Sequence, residues 1–91
     1  MKRFMIERDI PGIGAMSLTE LCGAARASNE ALAHLTPRIQ WQHSYVAGDK
    51  TYCIYLAEDE KAILDHGEIS GIPVGKITEI PQIIDPLTAN N

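Results

Sequence analysis

A histidine in the middle of a strand-like segment is the residue of this sequence with the clearest chemical potential. His43 lies between Trp41 and Tyr45 in the segment IQWQHSYV. An imidazole that titrates near neutrality can ligate a metal ion or act as a general base. A histidine in such a place can equally be a hydrogen-bonded core residue. The segment alone leaves both interpretations open.

Two carboxylates in the first strand-like segment strengthen the metal interpretation. Glu7 and Asp9 fall on one face of an alternating strand. Burying a carboxylate is costly unless it is paired with, or bound to, a cation. If the Glu7 face is also the His43 face, oxygen and nitrogen donors converge in a mixture that suits a borderline divalent ion better than calcium. Alternatively, Glu7 pairs with a neighbouring Arg or Lys. The sequence does not fix how these two strands face each other.

The remaining candidates carry less chemistry. His34 lies near the end of a helix, where a cation suits the helix dipole, and His66 is interpreted as a half-buried, hydrogen-bonded histidine. Cys22 and Cys53 sit in core-like helix and strand segments, which predicts two reduced and buried thiols. The chain has no HExxH, CxxC, EF-hand or phosphate-loop spacing. No metal or nucleotide motif with local spacing therefore supports these residues.

The hydrophobic periodicity and turn residues predict six elements in the order βαββαβ. Ser17 and Glu20 form a capping box that opens the first helix, and Gly48-Asp49 supplies a hairpin turn. The order predicts an α+β domain of ferredoxin-like type, an antiparallel sheet with both helices on one face. The predicted bounds are strand 2–10, helix 17–36, strands 39–46 and 51–56, helix 59–70 and an edge strand 76–84 that Pro81 interrupts.

Strict alternation through the hairpin predicts one strongly aromatic sheet face. The face would carry Trp41, His43, Tyr45, Tyr52, Ile54 and Leu56. Left open, it would form a large exposed apolar patch. We therefore predict a homodimer in which two sheets meet face to face, as in a dimeric α+β barrel.

Composition limits the class of protein. The chain has 91 residues, 45% of them hydrophobic, and a net charge of −4. This predicts one domain over residues 1–86 with a frayed tail at 87–91. Scattered basic residues argue against nucleic-acid binding, and no apolar run approaches the roughly 20 residues of a membrane span. With no signal-peptide pattern at the N-terminus, the cytoplasm is the expected location.

Several motifs resemble those of one family. They are IQWQHSYV at 39–46, DKTYCIY at 49–55, Glu7-Arg8, and the shorter elements at 60–63, 70–73 and 77–79. The chain resembles a bacterial family of small ferredoxin-like domains that includes a dimeric actinobacterial nickel-binding protein. The resemblance implies Ni²⁺ as the bound ion, with His43 and Glu7 as its ligands. It also implies that Tyr45, Cys53 and Tyr55 are groups around the metal or in the core.

Three functional hypotheses follow. The first is a nickel- or other divalent-metal-binding protein for sequestration or delivery, which would not be an enzyme. The second is a cofactor-free, dimeric α+β-barrel enzyme of monooxygenase or isomerase type. Trp41, His43, Tyr45 and Tyr52 would line its pocket for a small aromatic or carbonyl substrate, with His43 as general base. The third is a structural module in which His43 only satisfies a hydrogen bond in the core.

Overall fold

The predicted order of elements is confirmed. The structure, a computed structural model, describes all residues from 1 to 91. Its strands and helices are β1 (Lys2–Asp9), α1 (Leu18–Ala33), β2 (Ile39–Ala47), β3 (Lys50–Ala57), α2 (Glu60–Ser70) and β4 (Ile77–Glu79). Short 3₁₀ helices follow β1 at Ile13–Ala15 and end the chain at Pro86–Asn90.

Local side-chain chemistry explains where the helices begin and end. Ser17 accepts a hydrogen bond from the Glu20 amide while the Glu20 carboxylate accepts one from the Ser17 amide, which completes the predicted capping box. Asp59 caps α2 in a similar way by accepting from the Ala62 amide. Gly71 ends α2 in the left-handed conformation, with φ of 71°. Helix α1 ends at Ala33, three residues earlier than predicted, and a turn leads on to Pro37.

The four strands form one antiparallel sheet in the order β2-β3-β1-β4. Because residues directly opposite in antiparallel strands lie on one side of the sheet, the register assigns every strand residue to a face. The helix face carries Phe4, Ile6 and Arg8 from β1; Ile39, Trp41, Ser44 and Val46 from β2; and Thr51, Cys53, Tyr55 and Ala57 from β3. The open face carries Met5, Glu7 and Asp9; Gln40, His43 and Tyr45; and Lys50, Tyr52, Ile54 and Leu56.

Both helices pack on the helix face. The core joins strand residues such as Phe4, Ile6 and Tyr55 to Leu32 of α1 and Ile63 of α2. This arrangement is the α+β, ferredoxin-like fold that the sequence predicted. β4 is an edge strand as expected, although it spans three residues and ends before Pro81.

A β-bulge in β2 overturns the predicted position of Trp41. The register shifts between Trp41 and His43, so that Trp41 lies opposite Tyr55 while His43 lies opposite Ile54. The extra residue, Gln42, turns the two side chains to opposite faces, since each bulge adds one residue to an alternating strand. The prediction that Trp41 shares a face with His43 is therefore wrong.

The buried stripe of helix α1 does not include Cys22. Ser28, Ala31 and Leu32 are buried. Leu18 is 84% exposed and Cys22 is exposed, so the prediction of a buried Cys22 is wrong. Both cysteines are free thiols, and Cys53 is buried as predicted. Neither α1 nor α2 combines the length and hydrophobicity that crossing a bilayer would require.

Candidate functional site

His43 is exposed on the open face, midway along the edge strand β2. Its Nε2 lies 3.1 Å from the hydroxyl oxygen of Tyr45, and the two rings meet edge to face with centroids 5.1 Å apart. The bulge beside it directs the imidazole away from the core. The hypothesis that His43 satisfies a hydrogen bond in the core is therefore wrong, and the ring is accessible to a ligand.

Glu7 lies on the same face as His43, which the sequence left open. Its Oε1 accepts a hydrogen bond of 3.3 Å from the ammonium of Lys50. This bond raises the pKa of Lys50 above its ordinary value. The alternative interpretation of Glu7, pairing with a neighbouring lysine, is thus what the chain itself provides.

One chain does not gather a complete metal site on this face. β3 lies between the strands that carry Glu7 and His43, so their backbones are two strand spacings apart, about 10 Å. The donor atoms that would have to meet across this distance are instead engaged within the chain, Glu7 Oε1 with Lys50 and His43 Nε2 with Tyr45. No group of three or more His, Cys, Asp and Glu side chains comes together anywhere in the chain. The donor types fit nickel, but a single chain supplies too few of them at one point.

The five residues predicted to surround a metal or line a pocket divide between the two faces. Tyr45 and Tyr52 lie on the open face, opposite each other in the β2–β3 pair. Trp41, Cys53 and Tyr55 lie on the helix face. The cavity imagined for an enzyme, lined jointly by Trp41, His43 and both tyrosines, is not formed.

A buried polar cluster occupies the helix face around Arg8, which is only 3% exposed. Its Nε donates to the carbonyl of Pro73 at 3.1 Å, and its Nη1 lies 3.1 Å from Cys53 Sγ and 3.3 Å from the Tyr55 hydroxyl. The guanidinium also lies over the Tyr55 ring, 5.7 Å from its centroid. Burial raises the pKa of the Tyr55 phenol, so Tyr55 stays neutral beside the cation.

His66 belongs to this cluster and is completely buried, more deeply than predicted. Its Nε2 lies 3.4 Å from Ser28 Oγ, and its ring centroid is 5.5 Å from that of Tyr55. Nδ1 has no hydrogen-bond partner. Burial, and then the nearby charge of Arg8, lower the pKa of His66. The imidazole is therefore held neutral.

A cavity of about 250 Å³ adjoins the cluster between α1 and the sheet. Arg8, Cys53 and Tyr55 line it from the sheet and Ser28 lines it from α1. We call it the helix-side cavity. Its rim opens to solvent, since Ala24 is exposed and Val46 is 41% exposed.

Sequence reasoning missed Arg8 and the cavity. The sequence did carry one signal: Arg8 continues the alternation of Phe4 and Ile6, which places it on the inward side of β1. Because arginine is rarely buried without a partner, this alternation alone does not predict a buried guanidinium. The cavity itself arises from the distance between α1 and the sheet, which no local pattern reveals.

Comparisons with known proteins identify a family and a similar solved structure. A family model described as nickel responsive protein SCO4226-like matches residues 4–80. The crystal structure of SCO4226 from Streptomyces coelicolor A3(2) superimposes with a TM-score of 0.74 and 18% sequence identity, over 90% of this chain and 99% of that one. At this identity the superposition supports the fold alone. No curated protein matches the sequence.

Proposed function

The chain belongs to the family of nickel responsive, SCO4226-like proteins, and from this premise we propose that it binds Ni²⁺ as cargo, for sequestration or delivery in the cytoplasm. The observation that carries the proposal is the exposed imidazole of His43 on the open face, the face that also presents Glu7. Nickel is well suited to imidazole and accepts carboxylate oxygen beside it.

The state of His43 favours a ligand role. Its Nε2 is near the Tyr45 hydroxyl, and no side chain of the protein bonds its Nδ1. A hydrogen bond to one ring nitrogen fixes the tautomer and orients the other nitrogen toward an ion. Tyr45 is thus the residue that positions the imidazole.

A second copy of the chain would supply the donors that one copy lacks. Most soluble homodimers are two-fold symmetric, so each contributes the same patch. Two open faces that meet would bring together two copies of His43 and two of Glu7. Tyr45, 58% exposed, would be covered in the same contact. We therefore propose that nickel binds at a homodimer interface formed by the open faces.

Calorimetric titration of untagged protein with Ni²⁺ tests the assignment. We expect saturable binding that His43→Ala weakens at least about tenfold, since loss of a ligand or its orienting partner has effects of this size. His34→Ala, which removes an exposed histidine outside the sheet, is the matched control and should bind as the wild type does. Unchanged nickel affinity in His43→Ala would rule the assignment out.

Three further measurements examine the role of the imidazole, the role of Glu7 and the shared interface. Protons compete with the ion for imidazole, so lowering the pH should weaken binding. Because Lys50 holds the Glu7 carboxylate, Lys50→Met should tighten nickel binding if Glu7 is a ligand.

Sedimentation should show a dimer whose association depends on Tyr45. A protein that remains monomeric while it binds nickel fully would contradict the shared site.

A further inference from the structure

The helix-side cavity contains a buried positive charge that the chain leaves without a counter-charge. The ion pairs of the protein involve Lys2, Arg38, Lys50 and Lys61, and none involves Arg8. The partners of Arg8 are a carbonyl, a thiol and a phenol. Removing a charged group from water without an opposite charge is unfavourable. An anion beside Arg8 would compensate this cost.

One part of the guanidinium has no partner at all. Nη2 of Arg8 is buried and forms no hydrogen bond within the chain. Hydrogen bonds from a guanidinium to a carboxylate are charge-assisted and among the strongest that proteins make. The chain thus leaves part of the hydrogen-bonding capacity of this buried cation unused, beside a cavity that Arg8 itself lines.

The walls of the cavity determine what kind of anion fits. Ten of the fourteen lining residues are hydrophobic, among them Ile13, Leu21 and Trp41. The polar members besides Arg8 are the hydroxyls of Ser28, Ser44 and Thr51. A bare inorganic anion would leave the apolar walls in contact with water. A volume of about 250 Å³ lies just below the usual range for drug-sized ligands.

We propose that the helix-side cavity binds a small organic monocarboxylate, with its apolar body between α1 and the sheet and its carboxylate against Arg8. Such a ligand places a negative charge beside the guanidinium, which neutralises the buried charge, and its body covers the apolar walls. This site lies on the opposite side of the sheet from His43. The inference is therefore independent of the nickel proposal.

Binding of benzoate, with benzamide as the uncharged analogue of the same shape, tests the proposal. Calorimetry and ¹H–¹⁵N spectra on the full chain should show saturable benzoate binding that shifts amides of α1 and β3. Benzamide should bind at least about tenfold more weakly, because hydrogen bonds to charged groups exceed neutral ones by that margin. Hexanoate, with a flexible body, and inorganic phosphate test the shape and the need for an apolar part.

Two variants separate the roles of charge and space. Arg8→Gln should lower benzoate affinity at least about tenfold and abolish the preference over benzamide. Because Arg8→Gln also removes the bond to Pro73, Ala25→Leu provides a second test, which fills the cavity from α1 and leaves that bond intact. Ala27→Leu makes the same change at an exposed position of α1 outside the cavity and should bind benzoate within about twofold of the wild type.

Several outcomes would overturn the inference. Equal affinities for benzoate and benzamide would show that Arg8 does not recognise charge. Benzoate binding that survives Ala25→Leu would place the ligand elsewhere. Phosphate binding tighter than benzoate would replace the organic carboxylate with an inorganic anion. If neither benzoate nor hexanoate binds below about 10 mM, organic monocarboxylates are excluded as ligands of the buried Arg8.

Discussion

The two faces of the sheet use the same strands but give charged side chains very different surroundings. Glu7 and Arg8 are neighbours in β1. Glu7 points to the open face, is 24% exposed and pairs with Lys50. Arg8 points to the helix face, is 3% exposed and has no acidic partner. Strand alternation, rather than residue type, thus decides which charge is screened by water and which requires a ligand to offset it.

The largest expected difference between the faces is in packing. Phe4 is 2% exposed in the core of the helix face, so Phe4→Ala should lower the free energy of unfolding by about 3–5 kcal/mol. Gln40→Ala, at an exposed position of the open face, should change it by no more than about 0.5 kcal/mol. Urea unfolding measures both. Similar losses in the two variants would break the distinction between a packed face and an open one.

The bulge provides the next test, because it separates two aromatic residues of β2. Trp41 packs against the core and donates from Nε1 to Ser44 Oγ at 2.9 Å, so Trp41→Ala should cost about 2 kcal/mol. Tyr45→Ala, measured at a concentration where the chain is monomeric, should cost less than about 1 kcal/mol. Equal costs would indicate that both rings share one face, as strict alternation predicted.

The pH dependence of stability should report on the helix face. Burial lowers the pKa of His66 in the folded chain, so the unfolded chain binds its proton first as the pH falls. Stability should therefore decrease below the ordinary histidine pKa of about 6.5, down to the lower folded value. Denaturation at a series of pH values should show a shallower slope for His66→Gln. His34→Gln is the matched control and should keep the wild-type slope.

The smallest effect is expected for the ion pair of the open face. Glu7 and Lys50 are both partly exposed, so solvent and salt screen their attraction. A double-mutant cycle with Glu7→Gln and Lys50→Met should give a coupling free energy smaller than every effect above, and it should shrink as salt is added. A large coupling that salt leaves unchanged would mean that water does not reach the Glu7–Lys50 pair.

The fold was predictable because its determinants are local. Ser17 and Glu20 indicate the start of a helix, and Gly48-Asp49 indicates a hairpin turn. The order of the elements is then compatible with few topologies. The sequence also identified His43 and Glu7 as candidates, and the structure places them on one face. Their roles as metal ligands stay a prediction, since a site shared between two chains has no signature in the spacing of one.

The features that the sequence did not predict depend on one extra residue in a strand and on how elements distant in the sequence pack together. A single extra residue, Gln42, reverses the facing of Trp41, and nothing in the alternation of polar and apolar residues marks it. Cys22 was expected inside because it is apolar, yet the helix buries the stripe through Ser28 and Leu32. The burial of Arg8 does not follow from its residue type, because charged residues are seldom buried without a partner.

The end of the chain has a consequence of a different kind. The last backbone bond to the sheet runs from the Ile80 amide to the Arg3 carbonyl, and every residue from 81 onward is exposed. Asp85 caps the final 3₁₀ helix, so what order this segment has comes from within itself. A protease that cuts after Gln82 would release a short peptide carrying Ile84, 80% exposed, and leave the sheet and both helices with less exposed apolar surface.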